Sequence, residues 1–282
     1  MAKVLDGKSV SQSVKDRIRD EVAVLKEQGR EVTLAVIIVG DNPASRVYVN
    51  NKKKACEYVG FRSLEYALSE STTQDELINL IHELNARDDV NGILCQLPVP
   101  AHIDDKAVIA AIDVKKDVDA FSAYNVGKIL IGDYDFLPCT PAGVMEILHY
   151  YDLDAAGKRC VVIGRSNIVG KPMAALLMHA NGTVTVTHSR TKDLASVTRE
   201  ADILVAAIGK AKFVTADMVK EGAVVIDVGM NRDENGKLCG DVDYNSVSKK
   251  CSAITPVPGG VGPMTIAMLM QNTLKAYYVQ NS

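Results

Sequence analysis

Tyr48 and Lys52 stand four residues apart, a spacing that puts both side chains on one face of a helix. On its own such a pair is ordinary, and an exposed tyrosine–lysine couple is its plainer reading. A second candidate set lies far downstream, in Val161-Val162-Ile163-Gly164-Arg165-Ser166-Asn167-Ile168-Val169-Gly170-Lys171-Pro172. An apolar strand leads into Gly164 and a helix follows Gly170, the order of a dinucleotide-binding turn. Such turns need glycine so that backbone amides can approach a pyrophosphate and the helix can pack closely on the strand. Ser166 stands between the glycines, so the spacing departs from G-x-G-x-x-G and the turn alone is a weak signal. The next strand, 183–187, ends in His188-Ser189-Arg190 and meets no carboxylate before Asp193. An acidic residue there would bind a ribose 2′-hydroxyl; a hydroxyl and a guanidinium instead suit a 2′-phosphate, and Arg165 adds a second charge. The cofactor read from this pattern is NADP, against the plain alternative of a solvated basic turn.

The elements that must position these groups come from an aliphatic chain. Of 282 residues, 47% are hydrophobic but only 5% aromatic, and there is no tryptophan. Such a core suits helices packed on buried parallel strands. With 32 basic against 35 acidic residues there is no positive excess, which speaks against a nucleic-acid partner or an anionic membrane surface. No apolar run reaches the roughly 18 residues of a membrane span. The start, Met1-Ala2-Lys3-Val4-Leu5-Asp6, meets charge too early for a secretory signal, so a cytoplasmic location is expected. Six scattered cysteines without a C-x-x-C pair read as reduced core thiols, and five scattered histidines give no metal-binding pattern, so no metal is expected.

Val10, Val14, Ile18, Val22 and Leu25 mark a helix with one buried face. The run 33–39 reads as a strand buried on both faces, 46–59 as a helix and 63–68 as an alternating strand. Thr73 and Glu76 form a capping box ahead of Leu77, Leu80, Ile81 and Leu84, and 92–97 is a further strand ended by Pro98. A second alternating series has strands at 160–163, 183–187, 203–208 and 223–228. Helix 141–151 joins the two series, and a last helix over 263–278 carries Pro263 in its first turn. The fold class expected is α/β, with two α/β domains, the second a Rossmann-type dinucleotide domain.

Several segments together resemble one family over essentially the whole chain and in family order. They are Asp41-Asn42-Pro43-Ala44-Ser45 with Tyr48 and Lys52, Gly92-Ile93-Leu94-Cys95-Gln96-Leu97-Pro98, Lys116-Asp117-Val118-Asp119, and Thr255-Pro256-Val257-Pro258-Gly259-Gly260-Val261-Gly262-Pro263-Met264-Thr265. Cys139-Thr140-Pro141 and the loop 164–172 agree as well. The chain resembles the bifunctional methylenetetrahydrofolate dehydrogenase/cyclohydrolase family. Short-chain dehydrogenases use a similar Tyr-x-x-x-Lys pair, but downstream of their nucleotide fold, whereas here it lies more than a hundred residues upstream. One departure is Ala120, where the family usually has glycine after the aspartate.

The resemblance implies NADP-dependent oxidation of 5,10-methylenetetrahydrofolate to the methenyl cation, then hydrolysis to 10-formyltetrahydrofolate. It implies Lys52 as proton carrier, Gln96 orienting it, Tyr48 stacking on the folate rings and Asp119 accepting hydrogen bonds from the pterin. Leu97, Pro258, Gly259, Gly262 and Pro263 would complete the substrate site, in a cleft between the domains. Gly164, Arg165, Ser166, Ile168, Val169, Gly170, His188, Ser189, Arg190, Gly209, Thr140 and Gly229 would hold NADP. It further implies a homodimer, a folate domain over 1–142 to which helix 263–282 returns, and an NADP domain over 143–262. Taken singly the residues allow plainer readings. Tyr48 and Lys52 fit an exposed couple, Gln96 a strand-end cap, Asp117 and Asp119 a solvated loop, and 257–264 a rigid turn. A dehydrogenase that has lost hydrolysis, and a non-enzymatic ligand sensor, remain as rival readings.

Overall fold

A computed structural model describes residues 2–282, the side chain of Ala44 excepted. A two-residue strand, β1 (Lys3–Val4), precedes helix α1 (Gly7–Glu27). Val10, Val14, Ile18, Val22 and Leu25 are all buried, so the apolar stripe is the inward face of α1. Strand β2 (Thr33–Val39) is buried at every residue. Helix α2 (Pro43–Val59) opens with Pro43 in its first turn, where the missing N–H costs nothing. Strand β3 (Arg62–Leu68) pairs parallel with β2 from Thr33↔Arg62 to Val39↔Leu68. In helix α3 (Gln74–Asn85) the capping box closes: Thr73 Oγ1 accepts the Glu76 N–H at 3.3 Å, and Glu76 Oε2 accepts the Thr73 N–H at 2.8 Å. Strand β4 (Gly92–Cys95) pairs with the other edge of β2, giving the order β3-β2-β4. Two helices absent from the sequence expectation follow, α4 (Asp105–Ala111) and α5 (Ala123–Ile131). Ala35, Ile37 and Val39 of β2 pack in one core with Leu77, Ile81 and Leu84 of α3. Each valine, leucine or isoleucine among them contributes roughly 1.5–3 kcal/mol when fully buried.

Helix α6 (Cys139–Tyr150) leads to the second series: β5 (Arg159–Ile163), α7 (Gly170–His179), β6 (Thr183–Thr187), α8 (Leu194–Thr198) and β7 (Ile203–Ala206). After it come β8 (Val224–Asp227), the hairpin β9 (Asn231–Arg232) with β10 (Leu238–Cys239), α9 (Tyr244–Val247), β11 (Ala253–Ile254) and α10 (Val261–Gln280). Six strands form one sheet in the order β1-β11-β8-β7-β5-β6, every pairing parallel. The chain runs from β5 to β6 on one side and then to β7 on the other. The strand order therefore reverses at β5, the point where open α/β sheets bind ligands.

The chain divides into two units, one of Gln12–Cys139 with Ile266–Ser282, the other of Thr140–Thr265 with the N-terminal residues through Ser11. Lys3 and Val4 pair parallel with Ala253 and Ile254, so β1 is an edge strand of the six-stranded sheet. At the other terminus, Asn272 Nδ2 donates to the carbonyls of Val118 and Leu137, both at 2.8 Å. Gln280 Nε2 donates to the Asn91 carbonyl at 2.7 Å, which ties the end of α10 to the three-stranded unit. Strand β7 stops at Ala206 rather than at 208, because the Ile208 N–H turns to a carboxylate, Asp241 Oδ2, at 2.7 Å. The last helix starts at Val261, two residues before Pro263. All six cysteines are buried free thiols. Among the described residues no helix is long and apolar enough to cross a membrane.

Candidate functional site

Lys52 is carried by α2 and Gln96 follows β4, so both stand at the carboxyl ends of parallel strands. Gln96 is anchored by its own N–H, which donates to the Ile37 carbonyl at 2.8 Å. Its side-chain Nε2 donates to the Leu97 carbonyl at 2.7 Å, which leaves Oε1 to accept from Lys52 Nζ at 2.8 Å. Lys52 itself is only 9% exposed. That burial pulls its pKa below the usual lysine value, with the charge of Asp119 opposing the shift. Burial likewise pushes the Asp119 carboxyl up to about 6, with Lys52 holding it down and Asp117 pushing it higher. The two groups form a coupled pair in which each favours the charged form of the other. Cys139 Sγ lies 3.9 Å from Asp119 Oδ1, and burial raises this thiol well above its ordinary value. The Cys56 and Cys95 thiols are pushed up to about 12 by burial, so none of these sulfurs is a thiolate at neutral pH.

The segment that presents Asp119 is held from both sides. Lys116 Nζ donates to the carbonyls of Asn85 at 2.9 Å and Arg87 at 2.6 Å, ending α3 with a buried cation at its negative pole. Asp117 is 2% exposed and accepts from the Ser122 N–H and from Asn125 Nδ2, each at 2.9 Å. Neither belongs to a solvated loop. Asp117 builds the turn with its own oxygens, and the charge of Asp119 acts on Lys52. Between this turn and α5, Ala120 takes a φ of +56°, the left-handed region that glycine occupies freely. Tyr48, one helical turn before Lys52, is exposed.

The turn after β5 obeys a different constraint. Gly164 has a φ of +121°, and a Cβ there would overlap the Ala207 carbonyl oxygen. A Cβ on Gly170 would overlap the Gly164 carbonyl oxygen, so α7 starts against the turn only because both residues lack side chains. Ser166 Oγ accepts the N–H groups of Val169 and Gly170, each at 3.2 Å, just ahead of α7. Arg165, Ser166 and Ile168 are exposed and Val169 is half-buried around this helix start. At the end of β6, the His188 N–H donates to Thr191 Oγ1 at 2.9 Å, and His188 Nδ1 accepts the Arg190 N–H at 3.2 Å. This tight turn leaves Ser189 and Arg190 exposed. Asp193, the first carboxylate after β6, is engaged elsewhere: its Oδ1 accepts the Ser196 N–H at 3.3 Å and caps α8. The cradle around Gly164, the helix start and the two arginines fit a dinucleotide carrying a 2′-phosphate.

The remaining expected residues, Leu97 apart, fall in this second unit. Thr140 Oγ1 lies 3.1 Å from Thr265 Oγ1, and the Gly209 N–H donates to Asp241 Oδ2 at 3.1 Å. The Gly229 N–H donates to Asp227 Oδ1 at 2.9 Å. Pro258 follows a cis peptide bond, Gly259 has a φ of +108°, and the Pro263 carbonyl accepts from Ser11 Oγ at 3.1 Å. A Cβ on Gly262 would press on the Met230 side chain at 3.0 Å. Leu97 belongs with Lys52 and Gln96. Sequence reasoning passed over Asp227 and Asp241, although an aspartate closing the apolar run Val224-Val225-Ile226 is itself a sign of a buried carboxylate.

Comparison with known proteins places both halves of the chain in one family. Residues 5–119 match the family model described as tetrahydrofolate dehydrogenase/cyclohydrolase, catalytic domain, and residues 138–281 match that family's NAD(P)-binding domain. The bifunctional protein FolD of Lachnoclostridium phytofermentans is 63% identical over 272 residues, covering 96% of each chain. A crystal structure of the bifunctional FolD enzyme from Campylobacter jejuni superposes with a TM-score of 0.97 at 52% identity, covering 99% of each chain. The Trypanosoma brucei enzyme, complexed with NADP and an inhibitor, has a TM-score of 0.94 at 39% identity, over 99% of this chain and 98% of its own. With both domain descriptions matched and relatives aligned over nearly its whole length, the chain belongs to the tetrahydrofolate dehydrogenase/cyclohydrolase family.

Proposed function

We propose that Lys52 is the proton carrier of a bifunctional one-carbon folate enzyme and that Gln96 and Asp119 set its charge. As a member of this family, the chain oxidises 5,10-methylenetetrahydrofolate with NADP to 5,10-methenyltetrahydrofolate and hydrolyses that cation to 10-formyltetrahydrofolate. The observation that carries the role of Lys52 is its buried ammonium 2.8 Å from Gln96 Oε1, with its pKa lowered by burial.

In the hydrolytic step water adds to the methenyl carbon. The neutral fraction of Lys52 takes a proton from that water as the C–O bond forms. The protonated amine then returns a proton to N5 as the C–N5 bond breaks, while the hydroxyl proton leaves as the formyl carbonyl forms. Asp119 is assigned to the pterin NH groups, where a carboxylate can accept two hydrogen bonds. Tyr48 is assigned to stack on the folate rings, with Leu97, Pro258, Gly259, Gly262 and Pro263 as further substrate contacts.

The oxidative step asks the chain mainly for orientation, since the nitrogens flanking the reacting carbon delocalise the developing positive charge. Bound NADP supplies the hydride acceptor. Arg165, Ser189 and Arg190 are assigned to the 2′-phosphate, and Gly164, Ser166, Ile168, Val169 and Gly170 to the pyrophosphate. His188, Thr140, Gly209 and Gly229 complete the proposed cofactor contacts. Tyr48, Lys52, Gln96, Leu97 and Asp119 belong to the unit of Gln12–Cys139 with Ile266–Ser282, and the proposed NADP contacts to the other. A homodimer and a cytoplasmic location are also proposed, on the family resemblance.

One assay tests the reading. Purified chain with methylenetetrahydrofolate and NADP is followed for NADPH formation and for the methenyl chromophore. NADPH formation with decay of the chromophore is expected. NADPH with a chromophore that persists at its uncatalysed rate would leave a dehydrogenase only, and no NADPH would leave a binding protein.

A further inference from the structure

Two buried carboxylates at the carboxyl end of the six-stranded sheet take no part in the chemistry above. Asp227 closes β8 and Asp241 follows β10; they are 3% and 0% exposed. Asp241 Oδ2 accepts the N–H groups of Ile208 at 2.7 Å and Gly209 at 3.1 Å. Its Oδ1 accepts the Lys210 N–H at 2.8 Å and Asn231 Nδ2 at 2.9 Å. Three successive backbone amides thus converge on one carboxylate, an arrangement that elsewhere forms anion- and phosphate-binding concavities. Asp227 completes the unit: its Oδ1 accepts the Gly229 and Asp241 N–H groups, both at 2.9 Å, and its Oδ2 the Val242 N–H at 3.0 Å. Two glycines interlock with the pair, since a Cβ on Gly229 would overlap Asp241 Oδ1 and a Cβ on Gly240 would overlap Asp227 Oδ2.

We propose that Asp241 is a positioning residue of the dinucleotide site: its carboxylate fills the amide nest at Ile208–Lys210 with an internal anion. The consequence is twofold. The loop after β7 is locked to the loop after β8 before any ligand arrives, so cofactor binding does not have to order them. The nest is also closed to a ligand phosphate, which leaves phosphate recognition to the turn at Gly164–Gly170 and to the basic residues beside it. Gly229 then owes its identity to Asp241 as much as to any ligand, and Gly209, at a φ of +66°, to the backbone of the nest. This inference rests on the NADP reading of the second unit.

The test uses the full chain and its Asp241→Asn variant, in which an NH2 group would replace one acceptor and oppose the loop's own N–H donors. Amide hydrogen exchange is measured without ligand, and the Kd for NADPH by fluorescence titration. Exchange at Ile208–Lys210 is expected to rise about tenfold or more, the effect of losing one charge-assisted hydrogen bond. The β5 amides should keep their wild-type exchange rates, and the Kd for NADPH should rise as the binding-competent share of the loop falls. NADPH bound with wild-type affinity despite a loosened loop would overturn the proposal. So would faster exchange throughout the six-stranded sheet, which would make Asp241 a general stabiliser. If Asp241→Asn does not fold, Asn231→Ala removes one donor from the same carboxylate and should shift both readings in the same direction by a smaller factor; no shift in either would overturn the proposal. A wild-type chain that binds no NADPH would refute the underlying reading, and this one with it.

Discussion

Replacing Gln96 with leucine keeps a side chain of similar bulk and removes the oxygen 2.8 Å from Lys52 Nζ. A hydrogen bond from a charged donor contributes roughly 1.5–3 kcal/mol, and about 1.4 kcal/mol corresponds to one pKa unit. That bond favours the ammonium form, so its loss lowers the Lys52 pKa, already depressed by burial, by about 1–2 further units. Asp119 remains and keeps opposing the shift, which sets the lower end of that range as the safer figure. The assay is the decay of the methenyl chromophore across a pH series. The limb of the kcat profile that reports Lys52 should move about 1–2 units toward acid in Gln96→Leu. Gln96→Glu, which places a carboxylate against the amine, should move the same limb toward alkaline pH. A limb that stays in place in both variants, with circular dichroism unchanged, would refute the claim that Gln96 sets the charge of Lys52.

Other outcomes follow from the same geometry. Ser189→Ala and Arg190→Ala should raise the KM for NADP much more than that for NAD; an unchanged preference would move the 2′-phosphate site toward Arg165 alone. Burial pushes the Asp227 carboxyl up to about 6 from an ordinary 3.8. The folded chain then holds that proton more tightly than the unfolded chain. The stability it contributes is present below about pH 4 and lost as pH rises through about 6, up to about 3 kcal/mol in all. The stability difference between Asp227→Asn and wild type, measured by thermal unfolding, should therefore move in the variant's favour over that window; a flat difference would count against a raised pKa. Ala120→Gly relieves about 1–2 kcal/mol of left-handed strain but gives up about 0.8 kcal/mol of methyl burial and some unfolded-state entropy. Denaturant unfolding should place the variant within about 1 kcal/mol of wild type, and a loss above about 2 kcal/mol would show that methyl packing outweighs strain.

Much of the scaffold was legible because its signals are local and repeated. The stripe from Val10 to Leu25, the buried run of β2 and the Thr73–Glu76 box each lie within one element and read directly as structure. Strand β1 was not legible, since two residues show no period and their partners, Ala253 and Ile254, lie at the far end of the chain. Helix α5 was passed over although Ser122 caps it at one end and Gly132, at a φ of +77°, ends it at the other. Short elements with good caps are easily lost between longer periodic ones. At the site, the spacing of Tyr48 and Lys52 was visible, but nothing in spacing could bring Gln96 to Lys52 across 44 residues. The family resemblance supplied that pairing, and the parallel register of β2 with β4 supplies its cause. Asp117 and Asp119 look equivalent in the sequence. Only the turn distinguishes them, because Asp117 spends its oxygens on Ser122 and Asn125 and Asp119 does not.

The central claim, that Lys52 moves the proton of the hydrolytic step, is tested most directly by Lys52→Met assayed for both activities in one preparation. Removing a general acid–base group typically costs about 10²–10⁴-fold in rate. Hydrolysis of methenyltetrahydrofolate should fall by at least that lower figure, while NADP-dependent oxidation of methylenetetrahydrofolate falls much less. Equal losses in both activities, with the variant folded, would contradict the account.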